Sequence, residues 1–209
     1  MSQTIEAHQL TLRQAHQYLK LQVTFAPDIT QALSLTALPQ PEELHKLRRL
    51  AESYYLEGGL REGQVKLLLV SPLLWLAGFY IPQITIVLEE RIAEITLDDQ
   101  DTVIRGRLDI LALHRASSEP DFWIVLIETK NASIDTAAGL PQLLTYAVTG
   151  LDKQKSVWGL VTNGIDYQFV RLQAGQRPSY DLFPKLSLLY DRQAEQILQV
   201  LRAIARKLP

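Results

Sequence analysis

Phe122-Trp123-Ile124-Val125-Leu126-Ile127 is an unbroken apolar run that ends in Glu128-Thr129-Lys130. A run of this kind is expected of a central strand covered on both faces. Side chains alternate along a strand, so Glu128 and Lys130 share a face, about 7 Å apart along it. Upstream, Val103–Leu113 also has strand character and carries an acid inside its apolar stretch, Leu108-Asp109-Ile110-Leu111. Residues 114–121, His-Arg-Ala-Ser-Ser-Glu-Pro-Asp, read as a loop between the two. If they form a hairpin, three neighbouring registers are open, and the middle one sets Asp109 directly opposite Glu128 on the same face. A slip of one residue would put them on opposite faces.

Working outward, residues 8–20 read as an amphipathic helix on Leu10, Leu12, Ala15 and Leu19, and 21–40, with Pro27 and Pro39, as an irregular connection. Pro41-Glu42-Glu43 opens a helix that runs to about Leu56 and stops at Gly58-Gly59. A third helix spans about Arg61 to Leu76, with Val65, Leu68, Leu69 and Leu73 on one face. Strands follow at Ile84–Glu89 and Ile92–Leu97, then a polar turn at Asp98-Asp99-Gln100-Asp101. Residues 135–149 read as helix, started late or kinked by Pro141. Strands Ser156–Val161 and Tyr167–Leu172 flank a turn at Asn163-Gly164. Ile197, Val200, Leu201, Ile204 and Leu208 mark a last amphipathic helix. This order implies an α/β fold, a mixed central sheet flanked by helices, in one domain over 1–209. Its parts are an N-terminal helical extension (1–55), a core (60–172) and a C-terminal helix (190–208).

The 209 residues carry 21 Lys+Arg against 23 Asp+Glu and no cysteine. That excludes zinc–thiolate sites, a thiol nucleophile and bulk polyanion binding, so a nucleic-acid site must be a local patch. The N-terminus lacks a secretory pattern, and the longest apolar stretch, Val65 to Tyr80, is interrupted by Lys66, Ser71 and Pro72. The expectation is a soluble, cytoplasmic protein with no membrane segment.

Two carboxylates that close repel each other and raise one pKa unless a cation lies between them. Hard oxygen ligands suit Mg²⁺ or Mn²⁺, which polarise a phosphodiester and activate a water, while a neighbouring lysine orients that water or offsets charge in the transition state. The alternative is ordinary: most Glu-x-Lys spacings are surface ion pairs worth about 0–1 kcal/mol.

The layout resembles the PD-(D/E)xK nuclease superfamily, and more narrowly the N-terminal nuclease domain of type I restriction enzyme R subunits. Arg61-Glu62-Gly63-Gln64-Val65 with Ser71-Pro72-Leu73-Leu74 and Leu76-Ala77-Gly78-Phe79 resembles the family's first core helix. Gly106-Arg107-Leu108-Asp109-Ile110 resembles the metal-binding aspartate strand, with Leu108 where the superfamily name expects proline. Ile127-Glu128-Thr129-Lys130 resembles the E-x-K strand, Gln142-Leu143-Leu144-Thr145-Tyr146 the Q-x-x-x-Y helix, and Thr162-Asn163-Gly164 the sequel. The match covers 60–172.

The resemblance implies a restriction-endonuclease-like core and a metal-dependent deoxyribonuclease acting in restriction or DNA repair. Asp109 and Glu128, with the Thr129 carbonyl, would hold Mg²⁺ or Mn²⁺, and Glu62 would add a ligand directly or through water. Lys130 would position or activate the water, Gln142 would steady the site or touch DNA, and Tyr146 would help at its edge. Glu62 is equally explained as a first-turn acid favoured by the helix dipole, Gln142 as a solvated residue and Tyr146 as core. Arg105 and Arg107, alternating with Asp109 on one strand face, would reach the scissile phosphate or merely balance charge. No P-loop string is present, so no ATP-driven translocation of its own is expected: the choices are a stand-alone nuclease without the helicase motor, a nuclease subunit with a motor or specificity subunit as partner, or a domesticated binding module. Residues 1–55 offer a surface for a homodimer. His8, His16, His45 and His114 lack metal-ligand spacing and read as surface residues. A catalytically silent module that keeps the fold to bind DNA or a partner is the competing expectation, and an RNA substrate a third.

Overall fold

The apolar run and the aspartate strand lie side by side in the larger of two sheets. A computed structural model describes residues 3–38, 41–91, 94–96, 102–114 and 122–207. The chain begins with β1 (Gln3–Glu6), α1 (Leu12–Tyr18), β2 (Gln22–Phe25) and α2 (Pro41–Leu56). Next come α3 (Glu62–Val65), a π turn (Lys66–Val70) and α4 (Ser71–Ala77), successive parts of one helix. Strands β3 (Ile84–Arg91), β4 (Ile95–Thr96), β5 (Thr102–Arg105), β6 (Arg107–His114) and β7 (Phe122–Thr129) follow. After α5 (Leu140–Gly150) come β8 (Ser156–Thr162), β9 (Asp166–Gln173), β10 (Ser179–Leu182), β11 (Leu186–Ser187) and α6 (Asp191–Ala205).

The larger sheet runs β2-β10-β9-β8-β7-β6-β3, with β11 also on β9, and the smaller one β1-β5-β4. Strands β7 and β8 are parallel, joined across the sheet by α5, and β2 lies parallel to β10; the other pairs of this sheet are antiparallel. The fold is therefore α/β with a mixed sheet, as expected. One face carries Leu44, Leu69, Leu73, Ile110, Ile127, Ile197 and Leu201, packing α2, α4 and α6 on the sheet. The other buries Leu108, Leu126, Leu143, Leu144, Tyr146 and Val161 under α1, α5 and the small sheet. Among the described residues no helix is long and apolar enough to cross a membrane.

Several expectations need correction. Residues 1–55 are not simply helical: β1 pairs with β5 and β2 extends the edge of the main sheet beyond β10. The segment 21–40, expected to be irregular, thus supplies a strand, while the helix expected over 8–20 is a 3-10 turn at Ala7–Gln9 followed by α1. The strand expected over Val103–Leu113 is broken at Gly106 into β5 and β6, which belong to different sheets. At the break a side chain has no room: a Cβ on Gly106 would run into the Tyr146 hydroxyl. Strands β10 and β11 were not anticipated. Pro141 starts α5 late, after a 3-10 turn at Thr136–Gly139. Of the strand expected at Ile92–Leu97, Ile95–Thr96 is found; the remainder, the turn 98–101, most of the loop 114–121 and Leu208 lie outside the described residues or carry no assigned strand.

Candidate active site

The hairpin register decides where the acids fall. Ile110, Leu111 and Ala112 pair with Ile127, Leu126 and Val125, and a bulge after Ala112 shifts the remaining pairs by one. That first set has the middle register of the three considered, which extended by one residue would bring Asp109 level with Glu128; the paired residues themselves stop at Ile110 and Ile127, and Asp109 bonds to Thr129. At this end of the strands the carboxylates find themselves among cations from other elements.

Asp109 is 13% exposed and uses both its oxygens. Oδ2 accepts from the Thr129 backbone N–H and the Thr129 hydroxyl, each at 2.7 Å, and Oδ1 accepts from Lys66 Nζ at 2.7 Å. Lys66 also pairs with Glu62 at 3.1 Å. Burial works against the Lys66 ammonium, but its bonds to Asp109 and Glu62 outweigh it and hold its pKa above the ordinary lysine value. Glu62 opens α3, and its own backbone N–H donates to Asn131 Oδ1 at 2.9 Å. Asn131, directly after Lys130, thereby satisfies an N–H at the start of the helix and ties it to the end of β7.

Glu128 is the most enclosed acid, with a side chain 2% exposed. Its Oε1 accepts from Lys130 Nζ at 2.6 Å, whereas Oε2 is buried without a partner. Burial pushes this carboxyl up to about 8; the Asp109 charge adds to the rise and Lys130 opposes it. Lys130 Nζ also reaches Gln142 Oε1 at 3.4 Å, and Gln142 Nε2 donates to the Arg107 carbonyl at 3.2 Å. Tyr146 donates to that same carbonyl at 3.0 Å, and burial followed by the Glu128 charge raises its pKa. Gln142 is thus a buried bridge between Lys130 and β6 rather than a solvated residue, and Tyr146 braces the start of β6 from within the core.

All of these groups except Thr129, Lys66 and Asn131 line one cleft of about 810 Å³, together with Arg105, Arg107, Glu6, His8, Arg91 and Glu94. Arg105 and Arg107 both reach the cleft, but not from one strand face: Arg105 ends β5 and pairs with Glu94 at 2.8 Å, and Arg107 begins β6 and pairs with Glu89 at 3.2 Å. His8, read from sequence as an ordinary surface residue, lines the cleft as well. Lys66 and Asn131 went unnoticed as site residues, and no local pattern marks them, because each acts through a partner distant in the chain.

Gly139, just before α5, brings this helix close to the strand ends. An added Cβ would stand 2.6 Å from Val161 Cγ1, 3.2 Å from Glu128 Cγ and 3.3 Å from Lys130 Cε. Gly139→Ala is therefore expected to lower stability by about 1–3 kcal/mol through overpacking, measured as a shift of the urea midpoint. An unchanged midpoint would mean that the helix moves away at no expense.

The donor chemistry fits a hard divalent cation. Glu62, Asp109 and Glu128 offer oxygen ligands only, and Glu128 Oε2 is buried with no partner among the described residues. As the side chains stand, no group of three or more His, Cys, Asp or Glu among the described residues is gathered for a metal. Lys66 pairs with both Asp109 and Glu62. No protein-family model matches the chain, and no curated protein matches it.

Proposed function

We propose that this chain is a nuclease of the PD-(D/E)xK type that hydrolyses DNA phosphodiester bonds with the help of Mg²⁺ or Mn²⁺. The observation that carries the reading is the gathering of Glu62, Asp109, Glu128, Lys130 and Gln142, drawn from α3, β6, the end of β7 and α5, around one open cleft. Asp109, Glu128 and Glu62, with the Thr129 carbonyl, are the groups that would hold the ion, which when bound would polarise the phosphodiester and lower the pKa of a water.

The remaining residues act as positioned donors. Lys130, anchored to Glu128 and Gln142, presents a cation at the cleft floor, suited to orient a water or to offset the charge that grows on the phosphorane oxygens. Gln142 and Tyr146 hold the Arg107 carbonyl and so set the start of the aspartate strand. Arg105 and Arg107, more than half exposed and paired with the rim acids Glu94 and Glu89, could exchange those partners for phosphate oxygens. Hydrolysis adds water across the P–O bond, leaving one product end with phosphate and the other with hydroxyl. Restriction or repair would be the setting, with a motor or specificity subunit as partner.

The second reading, a silent module that binds DNA or a partner protein, draws on Lys66: its ammonium already neutralises two of the three acids. Supercoiled plasmid, single-stranded DNA and RNA, each incubated with Mn²⁺ or Mg²⁺, separate the readings. The expected result is DNA nicking that is lost in chelator and in Asp109→Asn. Intact substrates with the ion bound would point to a missing partner or substrate, and intact substrates with no ion bound would favour the silent module; cleavage confined to RNA would change the substrate class.

A further inference from the structure

Lys66 begins a π turn inside a helix that is otherwise α-helical, and the Ser71 N–H bonds back to the Lys66 carbonyl across the widened turn. Such turns are rare and concentrate at functional sites. A lysine four residues after a glutamate would ordinarily form a surface pair worth a few tenths of a kcal/mol. This one is only 23% exposed and extends beyond Glu62 to Asp109 Oδ1, 43 residues further along the chain. The acids that the proposed chemistry needs for its divalent ion are therefore bridged by an ammonium group. A divalent ion and an ammonium group compete for the same oxygen lone pairs, and both cannot hold Asp109 Oδ1 and Glu62 Oε1 together.

We infer that Lys66 is a tethered competitor of the divalent cation, occupying Asp109 and Glu62 while the ion is away and leaving them when it enters. The inference rests on the metal-dependent reading above and adds a residue that sets metal affinity. Between visits of the ion, Lys66 keeps the acids from repelling one another and holds Asp109 in place against Thr129. The choice of lysine suits a group that must let go: it is a single point charge on a flexible stem, whereas arginine would grip a carboxylate through two parallel bonds. Metal entry then exchanges one cation for another, so the affinity for the ion alone is weaker than the acids would otherwise give.

The test is calorimetric titration of Mn²⁺ alone, without nucleic acid, into the full chain and into Lys66→Gln and Lys66→Arg. Lys66→Gln removes the competing charge and is expected to bind Mn²⁺ about tenfold more tightly, the screened value of one neighbouring charge at a partly exposed site. Lys66→Arg keeps the charge and is expected to bind no more tightly than the parent. Should Lys66→Gln fail to fold, Lys66→Met retains the apolar stem and carries the same expectation. Equal, measurable affinity in all three proteins would overturn the competition and leave the nuclease reading standing. Weaker binding in Lys66→Gln would make Lys66 an organiser of the site and equally overturn it. No binding by any of them would remove the inference and the metal-dependent reading together.

Discussion

Glu128→Gln is expected to be more stable than the parent protein at pH 8 and to have lost cleavage. The Glu128 carboxyl is 2% exposed, one of its oxygens has no partner, and its pKa is pushed up to about 8 from an ordinary 4.5. Between those two values the metal-free folded chain holds a proton that the unfolded chain releases. Stability therefore falls as pH rises through that window, and levels off above it. A shift of this size corresponds to about 3–5 kcal/mol across the window, at about 1.4 kcal/mol for each pH unit. Glutamine has the shape of the protonated acid and still offers an oxygen to Lys130, so the variant escapes the penalty without leaving the ammonium stranded. Urea midpoints measured from pH 5 to 9 should fall steeply for the parent and stay nearly flat for the variant. Parallel curves would show that Glu128 titrates normally. The gain in stability and the loss of chemistry from one substitution would mark a site kept at the expense of the fold.

What was legible in the chain follows from how locally each feature is determined. Strand β7 announced itself because burial on both faces demands an unbroken apolar run, and α6 because one face alone packs on the sheet. The register of β6 on β7 can be framed as a choice among few because a hairpin has few of them, and Ile110 with Ile127 has the middle one. Strand β2 was hidden, since its residues are largely exposed and its partner, β10, lies more than a hundred residues later. Gly106 inside a strand-like pattern gives no sign that the chain passes there from one sheet to another, and the Tyr146 hydroxyl packed against it, which leaves no room for a side chain, is a tertiary fact. The acids, Lys130 and Gln142 were all picked out, and the cleft brings them together. Lys66 was read only as a break in an apolar stretch, because a lysine on an amphipathic helix looks like a solvated one until its partner is known. Its role depends on a π turn and on an aspartate from another element, and neither leaves a mark on the residues around position 66.

Lys130→Ala should separate chemistry from binding more sharply than any other change. Lys130 is 18% exposed and lies on the floor of the cleft, bonded to Glu128 and to Gln142. Its removal takes away the one polar partner that the Glu128 carboxyl has among the described residues, but that carboxyl answers by holding its proton more tightly instead of standing as a bare charge. The loss of stability is therefore expected to be about 1–3 kcal/mol, the penalty for an unsatisfied neutral group, and below that of a stranded buried ion. Gln142 keeps its bond to the Arg107 carbonyl, so the start of β6 stays in place. The phosphate contacts proposed for Arg105 and Arg107, exposed on the rim, would be untouched. DNA affinity at fixed salt should thus change by about twofold or less, with a salt dependence that differs by no more than about one phosphate contact. Cleavage should fall by about a thousandfold, as when a positioned donor to a developing oxyanion is lost. Folding is followed by thermal melting, affinity by fluorescence anisotropy with a labelled duplex, and chemistry by plasmid nicking in Mn²⁺. A variant that still cleaves within about threefold of the parent would remove Lys130 from the reaction. A variant that loses affinity and cleavage in the same proportion would turn the lysine into a DNA contact, with the charge-offsetting role passing to one of the rim arginines.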